Sequence, residues 1–183
     1  FALAKIKRSD VKHEKVPAEN NLSQTADRFH YRIPLTAIEM RKSLEESLRA
    51  LRTDYLDYFF VHEPLGKLIY IDELTEMADI LKKEGKIRAW GLSYMRHQKP
   101  LHESYLANFD LLQFDNSPGA IGYETSIRER AAEPNIIFSP LRGGNGELKP
   151  KEKLVRLSED FTKSVILCSM FNEEHIKSNA LLF

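Results

Sequence analysis

At 183 residues, 42% hydrophobic and 30% charged, the chain can build one domain with a substantial core and is not a disordered polypeptide. Lys+Arg and Asp+Glu stand at 27 each, which excludes a global field that attracts nucleic acid or an anionic membrane. The apolar runs are too short for a membrane span, no signal peptide is visible, and the single Cys168 leaves no internal disulfide, so a cytoplasmic protein is expected.

The segment from Phe1 to Arg8 reads as a strand with a basic end at Lys5, Lys7 and Arg8, and residues 9–35 read as irregular. Thr36 and Glu39 form a capping box, after which Met40, Leu44, Leu48 and Leu51 recur at helical spacing as one buried face. The run from Asp54 to Val61 is aromatic and apolar enough for a buried strand. A second helix spans Asp72 to Glu84, with Leu74, Met77, Ala78 and Leu81 inward and Gly85 suited to the left-handed position past its end. Strands are then predicted at Ile87–Leu92, Phe109–Phe114, Asn135–Phe138 and Val165–Cys168. Helices are predicted near Leu101–Ala107, Tyr123–Ala132 and Lys151–Leu157, and Asn172 caps a last one with Glu173 and Glu174 in its first turn. A Gly-rich loop runs from Arg142 to Lys149.

Strands alternating with helices imply a parallel sheet, open or closed into a barrel. Both place ligands at the carboxyl edge, where His62, Ser93, Gln113, Ser139 and Ser169 sit at or just past predicted strand ends. Histidine at such an edge can donate to, or exchange a proton with, a carbonyl oxygen; it can equally cap loop backbone. Gln113 carries an amide that can pair with a carboxamide, and Phe138 offers a flat face to a planar ring or simply packs in the core. Lys5 either points into a polar cavity or is a solvated strand residue. No His or Cys pair has metal-ligand spacing, so no metal site is expected.

Taken in order, these segments resemble the aldo-keto reductase superfamily. Arg41 to Asp57 is similar to that family's SLxxSLxxLxxDYxD signature, and Gly85 to Ser93 is similar to its GKVRxIGVSN strand. Gln113 with Asn116, Phe138-Ser139-Pro140-Leu141, and Asn172 to Asn179 resemble its later segments. The resemblance implies a (β/α)8 TIM barrel, present as a single partial domain over residues 1–183 that lacks the N-terminal βα units. It implies NADPH or NADH as cofactor and hydride transfer to an aldehyde or ketone, a small-molecule carbonyl substrate. It assigns Lys5 and His62 as catalytic, and Ser93, Gln113, Phe138, Ser139, Leu141, Ser169, His175 and Asn179 as cofactor-binding.

Departures accompany the resemblance, among them Phe138 where the family has Tyr and fewer βα units than an eight-stranded barrel needs. The family's catalytic Asp and Tyr precede the lysine strand, at which this chain begins. Tyr94 stands where the family has Asn, and His175 where NADP-preferring members place an arginine. His175 and Lys177 are then the cations expected at a 2′-phosphate, with little discrimination between the two cofactors. The alternative function is a catalytically silent, aldo-keto-reductase-like binding or regulatory module.

Overall fold

The structure, a computed structural model, describes the backbone of residues 3–5 and, in full, residues 35–64, 66–144, 146–170 and 172–182. The chain forms two compact units, Phe1–Arg88 and Ala89–Phe183.

In the first unit, β1 (Leu3–Lys5) pairs in parallel with β2 (Leu56–His62), Lys5 lying opposite Phe60. Between them in sequence lies α1 (Ala37–Leu51), started by the predicted capping box. The Glu39 amide donates to Thr36 Oγ1 (3.3 Å), and the Thr36 amide donates to Glu39 Oε2 (3.0 Å), so two otherwise orphaned helix-end groups are satisfied. Met40, Leu44 and Leu48 are buried as expected, whereas Leu51 is 51% exposed because the helix ends there and the chain turns through left-handed Arg52.

Helix α2 (Ile71–Lys83) buries Leu74, Ala78 and Leu81, and Gly85 follows at φ 72°, as its position predicted. α1 and α2 are clamped by the Arg41 guanidinium, whose two donors meet both oxygens of Glu84 at 2.8 and 2.7 Å. Strand β2 begins two residues later than its sequence suggests. Tyr55 stays outside it and lies under the Arg88 guanidinium, 4.7 Å from its ring centre.

Strand β3 (Ile87–Tyr94) carries the chain into the second unit. There follow α3 (Lys99–His102) between two 3₁₀ turns, β4 (Leu111–Asp115), α4 (Tyr123–Arg130), β5 (Asn135–Phe138), α5 (Pro150–Asp160), β6 (Val165–Leu167) and α6 (Glu173–Ala180). β3–β4, β4–β5 and β5–β6 pair in parallel, neighbours in sequence being neighbours in the sheet. That order, with a helix in the long connections, is the one a β/α barrel uses; a doubly wound sheet reverses it at a switch point. β3 runs two residues past its predicted end and β4 begins two residues late. Ser93 therefore lies inside its strand, and Gln113 lies at the middle of β4 rather than at its end.

A chain of rings packs beside β3. Trp90 meets Phe109 at 4.4 Å between centroids, Phe109 meets Tyr105, Tyr105 meets His102, and His102 meets Tyr94. All five are buried. Burial pushes the His102 imidazole below its usual range, and burial pushes the Tyr94 phenol up to about 12.

Each of these two shifts makes stability depend on pH. Below pH 6.5 the unfolded chain protonates His102 before the folded one does, so stability falls as pH falls. Between pH 10 and about 12 the unfolded chain loses the Tyr94 proton that the folded chain keeps, so stability falls again as pH rises. Thermal melts across this range are expected to show a plateau bounded by both limbs. Replacing His102 by glutamine, which does not titrate, should flatten the acid limb; an unchanged slope would refute this role.

Candidate functional site

His62 is the last residue of β2, with 34% of its side chain exposed, and Glu63 turns the chain away at φ 44°. The Glu63 carboxylate lies 3.9 Å from His62 Nε2. Lys5 closes β1 and is in register with Phe60, two residues before His62, so both residues stand near the carboxyl ends of adjacent parallel strands. The Lys5 side chain lies outside the described residues.

In the second unit, Ser93 and Gln113 are register partners on β3 and β4, and both are buried. Register partners in a parallel pair project to the same face, and alternate residues return to it, so Asp115 and its partner Phe138 share that face with Gln113. Gln113 Oε1 is buried and accepts no hydrogen bond among the described residues. A buried polar atom left without a partner costs of order 1–3 kcal/mol, so it marks a place where a donor belongs. Tyr94 projects to the opposite face, where it packs against Phe114 and His102. Its substitution for the usual asparagine thus serves the aromatic core.

At the end of β5, Phe138 is half-buried, and Ser139 just past it takes a left-handed φ of 55° that starts the turn closed by the Arg142 amide donating to the Ser139 carbonyl (3.0 Å). A cleft of about 590 Å³ opens at this carboxyl edge, bordered by Leu141, Ser169, His175 and Asn179 among others. Four residues assigned from three separate sequence segments thus meet. Phe138 and Ser139 do not line this cleft, and neither do Ser93 or Gln113, which lie deeper along their strands.

The cations differ from expectation. Lys177 is engaged by Glu173 at 2.8 Å and does not line the cleft. Lys149 and Lys151, at the start of α5, do line it. Sequence reasoning missed them because they are surface lysines in a polar stretch. The signal available was position: they open the helix that follows a strand's carboxyl edge. Cys168 also borders the cleft, and burial pushes its thiol up from the usual range.

Sequential parallel strands alternating with helices, with a cleft at the carboxyl edge, are the arrangement of a β/α barrel. The model of the aldo/keto reductase family matches residues 15–114, more than half of the chain, and the chain belongs to that family. It is 30% identical over 140 residues to an uncharacterized oxidoreductase of Bacillus subtilis, YcsN, covering 72% of this chain and 46% of that protein. It is 31% identical over 120 residues to a 6-dehydroglucose reductase of Agrobacterium fabrum, covering 60% of this chain and 39% of the relative.

Among solved structures, a Pseudomonas aeruginosa protein assigned as an aldo-keto reductase superposes with a TM-score of 0.69. The two are 20% identical, and the match covers 98% of this chain and 65% of that one. The fold is accordingly a partial (β/α) barrel of the aldo-keto reductase type. The chain spans less than half the length of the curated relatives it matches. Among the described residues no helix is long and apolar enough to cross a membrane, and no cluster of three metal-ligating side chains occurs.

Proposed function

We propose that this chain supplies the cofactor-binding side, and part of the catalytic side, of an oxidoreductase that reduces an aldehyde or ketone with NADPH or NADH. The observation that carries the proposal is the meeting of Leu141, Ser169, His175 and Asn179 on one cleft at the carboxyl edge. The unpartnered Gln113 Oε1 fits the same reading, because a carboxamide N–H is the kind of donor it lacks. When bound, a reduced nicotinamide supplies the hydride.

The chain's own residues do the rest. Gln113 and Ser93 hold the carboxamide, Phe138 lies against the ring, and the cleft takes the phosphate-bearing part of the cofactor. Lys149 and Lys151 give it positive charge, and His175 adds a polar contact. Two flexible ammonium groups favour a 2′-phosphate as point charges without the planar fork of an arginine, so preference for NADPH over NADH is modest and sensitive to salt. His62 hydrogen-bonds the substrate carbonyl. Lys5, on the neighbouring strand, tunes the proton donor.

The test is to titrate the intact protein with each cofactor by fluorescence and then follow reduced-cofactor absorbance with a panel of carbonyls. NADPH should bind more tightly than NADH at low salt, with the gap narrowing as salt rises. Absence of binding to either would overturn the enzyme reading. Binding without turnover would identify a catalytically silent member of the family.

A further inference from the structure

Helix α5 contains a lysine unlike its neighbours. Lys149 and Lys151 are exposed, but Lys153 is only 7% exposed. Its Nζ donates to the carbonyl oxygen of Gly143 at 2.7 Å. Among the described residues that ammonium makes this one hydrogen bond and no ion pair. Its stem is packed away from solvent while its Nζ reaches the carbonyl of the preceding turn, so the side chain links α5 to that turn.

Gly143 and its successor occupy a constrained place. Both have left-handed backbones, φ 77° and 80°. A Cβ on Gly144 would stand 2.5 Å from the carbonyl oxygen of Pro118 and 3.0 Å from the carbonyl carbon of Gly119. The turn after β5 is therefore pressed directly on the backbone of the loop after β4. One side chain thus joins two borders of the cleft. Lys153 grips the turn that carries Leu141, and it belongs to the helix whose first turn supplies Lys149, Pro150, Lys151 and Glu152.

We propose that Lys153 is a positioning residue for the cleft: through the Gly143 carbonyl it holds the Leu141 turn at a fixed distance from the start of α5, and Gly144 allows that turn to seat on the loop after β4. The proposal rests on the cofactor reading of the cleft. Lys153 touches no cofactor itself. It sets the width of the opening that the phosphate-bearing part of the nucleotide enters.

The test uses the intact protein with Lys153→Met, Lys153→Arg and Gly144→Ala. Methionine keeps the packed stem and removes the donor, so the melting temperature should stay close to that of the wild type. Nucleotide affinity should weaken by about 10-fold or more, with KM for the nucleotide rising while kcat at saturation is retained. Amide exchange in residues 140–144 should quicken by about 10-fold without change in β4. Arginine, which keeps an N–H donor, should recover part of the affinity, and Gly144→Ala should weaken it in the same way as methionine. Wild-type affinity in Lys153→Met, or unchanged exchange in the turn, overturns the positioning role. A wild-type protein that binds neither nucleotide overturns the cofactor reading and this role with it.

Discussion

Replacing His62 by alanine in the intact protein is expected to lower kcat by ~10²–10⁴-fold, the usual scale for loss of a positioned acid–base group. The imidazole stands at the last residue of β2, and a third of it is exposed, so a small substrate can reach it. Rigid placement comes from its flanks. Phe59, Phe60 and Val61 are buried just before it, and Glu63 turns the backbone sharply just after it. Cofactor affinity should change little, because His62 is assigned to the substrate carbonyl and not to the nucleotide. Glutamine, which keeps a donor but cannot exchange a proton, should recover part of the rate. Steady-state absorbance of the reduced cofactor measures the loss. Unchanged kcat in His62→Ala would reduce the residue to a cap of loop backbone.

Replacing Trp90 by alanine is expected to destabilise the fold by ~3–5 kcal/mol, the range for removing a fully buried large aromatic side chain. Trp90 is 1% exposed and packs against Phe109, tilted to it, with 4.4 Å between ring centroids. Its backbone also ties β3 to the start of β4: the Trp90 amide donates to the Asp110 carboxylate at 2.8 Å, and the Asp110 amide donates back to the Trp90 carbonyl at 2.9 Å. The indole leaves a gap at the head of the ring chain that runs through Phe109, Tyr105 and His102 to Tyr94. That gap cannot close without moving β3, which carries Ser93. The expected fall in melting temperature is about 6–20 °C. A fall of only a degree or two would mean that the ring chain repacks freely.

Much of the architecture was legible from short-range patterns. The Thr36–Glu39 box, the stripe of Met40, Leu44 and Leu48, and the cap at Asn172 depend on bonds within one helical turn and appear as read; the Asn172 side chain accepts the Glu174 amide at 2.8 Å. Strand ends were less legible. β3 extends to Tyr94 because Gly91 to Tyr94 pair with Leu111 to Phe114 of β4, and pairing is a property of two segments. For the same reason Gln113 lies at the centre of β4, deeper than a site residue expected at a strand end.

The amino-acid sequence by itself determined the family, the βα alternation and the identity of most candidate site residues, because each is written in local spacing and residue type. Tertiary structure alone decided which of them share a cleft. Leu141, Ser169, His175 and Asn179 come from segments up to 38 positions apart and meet only because parallel strands bring successive carboxyl ends to one edge. It also decided the cations. Lys149 and Lys177 look alike in the sequence, but Lys177 is one helical turn from Glu173, pairs with it and does not line the cleft, while Lys149 opens a helix that does. Lys153 differs from Lys151 only in being turned inward by two residues of helix. Burial, invisible in a residue's name, is what turns one of them into a tether for the Leu141 turn.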